Sequence, residues 1–439
     1  MPGAMNAMPK VELHVHLDGS FDAELLYETA KKRLAKGELP DEVASPLADC
    51  PDLAAFEALV TCLPTELSLK AMLDRFMFFL PIIQGQFDVI EEMAFKFVEM
   101  QAAQNVVYCE VRYSPQILTN AGAFIGADAK ALSERCDVAK DSKRVVECVT
   151  AGLRRGCAAH PSVQVNQILC FIDGRPEWAA SLIELAAADK AAGPGRTCAV
   201  VAVDIAAGEA HFQDAQGEAV PAAAEAAAAD GAVVAAGTES GNGRAHRAAC
   251  RRCAALGFPI TVHAGESGPA ANVAASTSAA YGGAVRIGHG YAAVDVTCEE
   301  CAPSDHAAAA TAMKALGLAP NVTFECCPTS SRATGGWAAA DWTLHPVVKL
   351  ARWRAAALAA GDAESAAQLP RVTISSDDPS VFGKSLTDEI SLGSQEMGLE
   401  LEELRVCMCN AIDGAFIDAD ARRELRERFD VAWGEWSGS

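Results

Sequence analysis

Positive charge is scarce in this chain. Its 439 residues include 36 lysines and arginines against 58 aspartates and glutamates, a formal net charge of −22. A field of that sign repels a phosphate backbone, so nucleic acid is excluded as a partner. No run approaches the ~20 uninterrupted apolar residues of a membrane-spanning helix, so no membrane contact is expected. Met1–Lys10 lacks a charged segment followed by an apolar one, so no secretory leader is expected. The sixteen cysteines then read as reduced thiols of a cytoplasmic protein. There is no glycine-rich phosphate loop of the Walker or dinucleotide type, and no internal repeat of solenoid period. Cys250/Cys253 and Cys298/Cys301 have zinc-knuckle spacing. The same spacing sets two cysteines one turn apart on an alanine-rich helix, and that reading is adopted.

Hydrophobic residues make up 51% of the chain; much of this is alanine, but enough remains for a core. Short strand-like runs recur at Val11–Leu17, Val106–Tyr113, Val163–Ile172, Ala199–Ile205, Phe258–His263, Ala284–Ile287, Val322–Cys326 and Val372–Ser376. Between them lie helical patterns such as Phe87–Gln101, with Phe87, Ile90, Phe95 and Val98 on one face. This alternation predicts an α/β fold, a (β/α)8 TIM barrel with helical and loop insertions. A doubly wound open sheet shares the same periodicity. The chain, 1–439, reads as one barrel domain. Residues 36–66 and 212–247 read as surface insertions, and Cys298–His306 and Ala356–Pro370 as surface loops or helix extensions.

Chemistry concentrates at the predicted strand ends. In Val11-Glu12-Leu13-His14-Val15-His16-Leu17-Asp18-Gly19, alternation puts His14 and His16 on one face. They are either half of a metal site or two histidines satisfied by local hydrogen bonds. Thr261-Val262-His263-Ala264-Gly265-Glu266 ends in a third histidine, with a carboxylate three residues on that can carry a proton. Arg286-Ile287-Gly288-His289-Gly290 offers an imidazole that could orient a nucleophile. In Thr373-Ile374-Ser375-Ser376-Asp377-Asp378-Pro379, adjacent carboxylates point in different directions, one toward a metal and one toward a substrate. Asp378 also suits the N-cap of a following helix. Three histidines and an aspartate suit a divalent transition ion, zinc foremost. The other histidines (His160, His211, His246, His306 and His345) lack such context and read as surface or core residues.

These strings resemble the adenosine deaminase family of the metal-dependent amidohydrolases. The resemblance is carried by Pro9–Gly19, Glu110-Val111-Arg112-Tyr113-Ser114-Pro115, Thr261–Glu266, Gly288-His289-Gly290-Tyr291, Cys327-Pro328-Thr329-Ser330-Ser331 near Thr334-Gly335, and Asp377-Asp378-Pro379. They run in family order from residue 9 to about 383, with the helix over 76–101 also similar. The resemblance implies one zinc ion per chain on His14, His16, His263 and Asp377, with His289 and Asp377 flanking the attacking water. It implies Glu266 at purine N1, Asp378 at N7, and His16 and Asp18 toward the nucleoside, Asp18 near the ribose 5′-hydroxyl. Met72, Leu73 and Phe76 would form an apolar gate. The implied reaction is hydrolytic deamination of adenosine and 2′-deoxyadenosine in purine salvage, by a chain expected to be monomeric.

Two departures stand out. The family usually has a glycine, its amide facing purine N3, where Asp204-Ile205-Ala206-Ala207-Gly208-Glu209 puts Ala207. That adds a methyl group to the pocket wall and makes positive φ costly. Met72 replaces a common aromatic. Methylthioadenosine, adenine or an N6-methylated nucleotide would keep the chemistry and change the substrate. A catalytically dead nucleoside-binding protein is disfavoured, because every ligand and proton carrier is present. The deaminases of flipped bases and cytidine are excluded, since no His-x-Glu pairs with a Pro-Cys-x-x-Cys.

Overall fold

All eight expected strands form. The computed structural model describes residues 2–62, 68–119, 137–193, 195–213, 242–294 and 305–437. The strands are β1 (Lys10–His16), β2 (Val106–Tyr113), β3 (Gln164–Ile172), β4 (Val200–Ala206), β5 (Thr261–Ala264), β6 (Arg286–His289), β7 (Thr323–Cys326) and β8 (Arg371–Ile374). β1 to β4 pair in chain order, as do β5 to β8, and every pairing is parallel. Two single bridges complete the ring: Val203 with Ile260 between β4 and β5, and Val15 with Asp377 between β1 and the residues past β8. A doubly wound sheet has two open edges, so this closure makes the fold a (β/α)8 barrel.

β5 begins three residues later than the Phe258–His263 run, because Pro259 has no amide to donate. Its carbonyl instead accepts from Val203 N at 3.3 Å. β6 likewise starts at Arg286, after the left-handed Gly282-Gly283 turn.

Helix Phe87–Ala103 buries Ile90, Ala94, Phe97 and Val98. Phe87 and Phe95, expected on that face, lie at its flanks under the guanidinium groups of Arg144 and Arg155, 3.9 and 4.5 Å from the ring centroids. Helix Val138–Ala159 approaches it closely. A Cβ on Gly152 would lie 2.1 Å from Glu91 O, and one on Gly156 2.6 Å from Val98 Cβ. At the start of β1, the buried ammonium of Lys10 donates to the carbonyls of Met5, Asn6, Met8 and Gln104 at 2.7–3.1 Å.

Of the segment over 36–66, residues 63–66 lie outside the described residues; the rest contains helices Asp41–Ala48 and Leu53–Val60, which bury Val43, Leu47, Phe56 and Val60. It therefore contributes to the core as well as the surface. Of the segment over 212–247, residues 214–241 lie outside the described residues. Its end begins helix Asn242–Ala255, with His246, Arg247, Cys250 and Cys253 buried. Cys250 and Cys253 stand one turn apart there; Cys298 and Cys301 lie outside the described residues. Ala356–Pro370 comprises the end of helix Pro346–Ala359 and helix Ala363–Gln368. No described helix is long and apolar enough to cross a membrane.

Candidate active site

The barrel's C-terminal mouth gathers the polar strand ends. β1 carries His14 and His16 on one face, and its seam with β8 sets them beside Asp377. His16 N donates to Asp377 O at 2.8 Å, and Asp377 N to His14 O at 3.1 Å. Asp377 has φ 62° and His289 φ 68°, left-handed values that cost a non-glycine residue of order 1–3 kcal/mol. Both turns aim their side chains into the mouth.

Ligand-type atoms of His14, His263, His289 and Asp377 all lie within 4.8 Å of one another. His16 Nε2 joins them, 3.2 Å from His263 Nε2 and 3.4 Å from Asp377 Oδ1. Of the expected metal set, His14, His263 and Asp377 fall within that group together with His289, while His16 stands at its edge beside His263 and Asp377. His289 Nε2 also faces Glu266 Oε2 at 3.5 Å, whereas His16 Nε2 faces His263 and Asp377. Burial pushes the imidazoles of His16 and His289 well below their usual range, so both are neutral. Burial works to raise Asp377, but the His14 imidazole beside it holds its carboxyl well below the usual carboxylate range.

Two buried acids aim the rings from behind. Glu325 Oε2 lies 2.9 Å from His14 Nδ1, and Asp204 Oδ2 lies 3.0 Å from His263 Nδ1. Arg112 joins the two acids, at 2.8 Å to Asp204 and 2.5 Å to Glu325. Arg286 bonds Glu325 and Glu110. With Nδ1 engaged, each ring presents Nε2 inward. His14 Nε2 is buried without a hydrogen bond, 3.2 Å from Asp377 Oδ1. A buried imidazole nitrogen without a hydrogen bond, beside an ionised carboxylate and the neutral imidazoles of His16 and His289, fits a divalent cation.

Above this cluster lies a cavity with the polar strand ends at its floor. Asp18, Glu266 and Asp378 face it, and each keeps one buried oxygen without a hydrogen-bond partner. Burial, then the Asp377 charge, pushes Glu266 up to about 8. Burial, then Asp377, Asp18 and Glu266, carries Asp378 well above the usual range. Burial raises Asp18 to about 7. Asp378 occupies the N-cap of helix Pro379–Phe382, yet its side chain makes no capping bond. Met72, Leu73 and Phe76, on helix Leu69–Ile83, form an apolar wall. Ala207 lines the cavity at φ 75°, the left-handed backbone that favours glycine.

Sequence reasoning passed over Arg112, Asp204 and Glu325. A signal was present, since Asp204 and Glu325 are each the lone charge of a buried strand and Arg112 shares its buried strand with Glu110, costly placements unless paired. Ser114, within the Glu110–Pro115 string, also lines the cavity, as do Ile117 and Cys170, which no local pattern marks.

A sequence-family model described as adenosine deaminase matches residues 9–243 and 220–432. Adenosine deaminase of Xenopus tropicalis is 30% identical over 426 residues, covering 97% of this chain and 96% of that protein. Among solved structures, the N6-methyl-AMP deaminase of Arabidopsis thaliana superposes with a TM-score of 0.64 at 20% identity, covering 99% of this chain and 100% of that one. An amidohydrolase from Burkholderia ambifaria, solved with bound zinc, superposes with a TM-score of 0.62 at 17% identity, covering 100% and 95%.

Proposed function

This chain belongs to the adenosine deaminase family and is a hydrolytic purine deaminase, and we propose that it converts adenosine and 2′-deoxyadenosine to inosine and 2′-deoxyinosine with release of ammonia. The observation that carries the reading is the trio of carboxyl groups over the imidazole cluster. Glu266 and Asp378 are both held as neutral acids, able to donate to ring nitrogens that offer only lone pairs.

His14, His16, His263 and Asp377 would hold the ion, with zinc the best match to this donor set. Bound there, such an ion would lower the pKa of water to ~7 and so would supply hydroxide at neutral pH. Glu266 delivers its proton to purine N1 as oxygen adds to C6, so charge does not build on the ring. The amino nitrogen then departs as ammonia, taking its third hydrogen from the hydroxyl added at C6 as the C6 carbonyl forms, and the proton given up by the attacking water restores Glu266, so the net change is one water consumed. His289, 3.5 Å from Glu266 Oε2, orients the attacking oxygen. Asp378 donates to N7, and the Ala207 amide faces N3. Asp18 lies toward the ribose.

The choice of nucleoside over nucleotide rests on charge. Among the described residues, no lysine or arginine lines the cavity, and a phosphate monoester there would meet carboxyl groups. The test is an ultraviolet assay of the purified protein with adenosine, with and without a strong chelator. Chelator-sensitive formation of inosine is expected. Turnover of N6-methyl-AMP or free adenine with none of adenosine would overturn the substrate assignment.

A further inference from the structure

We infer that Glu209 is a positioning residue for Glu266, acting through the turn that carries it. The inference rests on the reading of Glu266 as proton donor. Glu209 lies just past β4, and its carboxylate is the hub of a turn on the next strand. Oε1 accepts from the backbone N–H groups of Glu266, Ser267 and Gly268 at 2.9–3.0 Å. Oε2 accepts from Gly265 N at 3.0 Å and from Asn272 Nδ2 at 2.7 Å. Four consecutive amides and one side-chain amide therefore converge on a single anion, a set of charge-assisted bonds that neutral groups cannot match.

The fit is close on both sides. A Cβ on Gly268 would stand 2.2 Å from Glu209 Oε2, and one on Gly336 would stand 2.3 Å from Glu266 O. The Glu266 peptide is thus held at its N–H by Glu209 and walled at its carbonyl by Gly336. Displacing the carboxylate displaces the Glu266 Cα, while the cluster behind keeps its own anchors on Asp204 and Glu325.

The test compares wild type, Glu209→Gln and Asn272→Ala. Glutamine sets an NH₂ against amide donors in either rotamer, whereas Asn272→Ala removes one donor and leaves the carboxylate. Amide hydrogen exchange is read by mass spectrometry over a peptide spanning 264–273, with metal content and steady-state kinetics in parallel. Glu209→Gln is expected to speed exchange in that peptide by ~10-fold or more. Its kcat should fall by ~100-fold, the scale of a misplaced catalytic group, with KM within about threefold and metal retained. Asn272→Ala shows the same split at smaller size, and it decides the matter if the glutamine variant does not fold. Unchanged exchange in both variants overturns the brace. So does a kcat loss that tracks metal loss alone. A wild type that deaminates no purine nucleoside sinks the functional reading instead, and the exchange measurement still decides the brace.

Discussion

Asp377 Oδ1 lies 3.2 Å from His14 Nε2, across the seam where the last strand of the barrel meets the first. The two residues are 363 positions apart, yet the bond from Asp377 N to His14 O ties their backbones together. Closing the ring and assembling the cluster are therefore one event. Asp377→Ala is expected to lose the bound metal and nearly all turnover, with the barrel still folded. Elemental analysis beside circular dichroism checks this, and a stoichiometric metal content in the variant would remove Asp377 from the ligand set.

Glu266→Gln keeps the side-chain volume and removes the acid. Turnover should fall by ~10²–10⁴, the range of a lost general acid, with metal content unchanged. Kinetics on the metal-loaded variant decide it; near-normal rates would contradict the proton-donor role.

The pH profile follows from the same group. Burial, then Asp377, pushes Glu266 up to about 8. A raised acid holds its proton below that value and loses it above, so the active form is lost as pH rises through about 8. The expected profile of kcat/KM is level near neutrality and falls on the alkaline side, a limb that Glu266→Gln abolishes. A rate that instead climbs steadily from about pH 6 to about pH 10 would argue for a general base in its place.

Arg112→Met removes the cation between Asp204 and Glu325, each bonded to it within 2.8 Å. Breaking a buried pair from one side costs about 3–5 kcal/mol, so the thermal midpoint should drop markedly. The anchors of His14 and His263 loosen with it, and metal affinity should fall by ~10–100-fold. Calorimetry and competitive chelation measure the two effects separately; an unchanged affinity would show that the rings do not depend on this network.

Ala207→Gly relieves a left-handed alanine, a strain of about 1–2 kcal/mol. It also frees the unfolded chain by about 0.5–1 kcal/mol in the opposite sense. Stability should therefore move little. Removing a methyl group from the cavity wall should lower KM for adenosine with kcat unchanged, which a KM comparison at matched metal content reads directly.

Most of the secondary structure was legible in local pattern. Alternation within β1 placed His14 and His16 on one face, and apolar runs marked all eight strands to within a few residues. Boundaries slipped where one residue overrode the run, as Pro259 does ahead of β5. The helix face over 87–101 was read partly wrong: Phe87 packs at the margin of the core, but Phe95 lies under Arg155, as Phe87 lies under Arg144. Those arginines belong to another helix and leave no trace in the periodicity.

What the sequence by itself determined is the inventory. It contains eight apolar strands with imidazoles and carboxyls at their ends, a surplus of negative charge, and motifs specific enough to name a family. Those features depend on neighbours within a few positions. Tertiary structure decided everything that depends on distance and dielectric. It closed the ring through Val15 and Asp377, stood Arg112 between two acids from other strands, and set Glu209 under the Glu266 turn. It also made Glu266 and Asp378 neutral acids. A carboxyl group in the open chain titrates near its ordinary value, and only removal from water beside another negative charge holds its proton on at neutral pH.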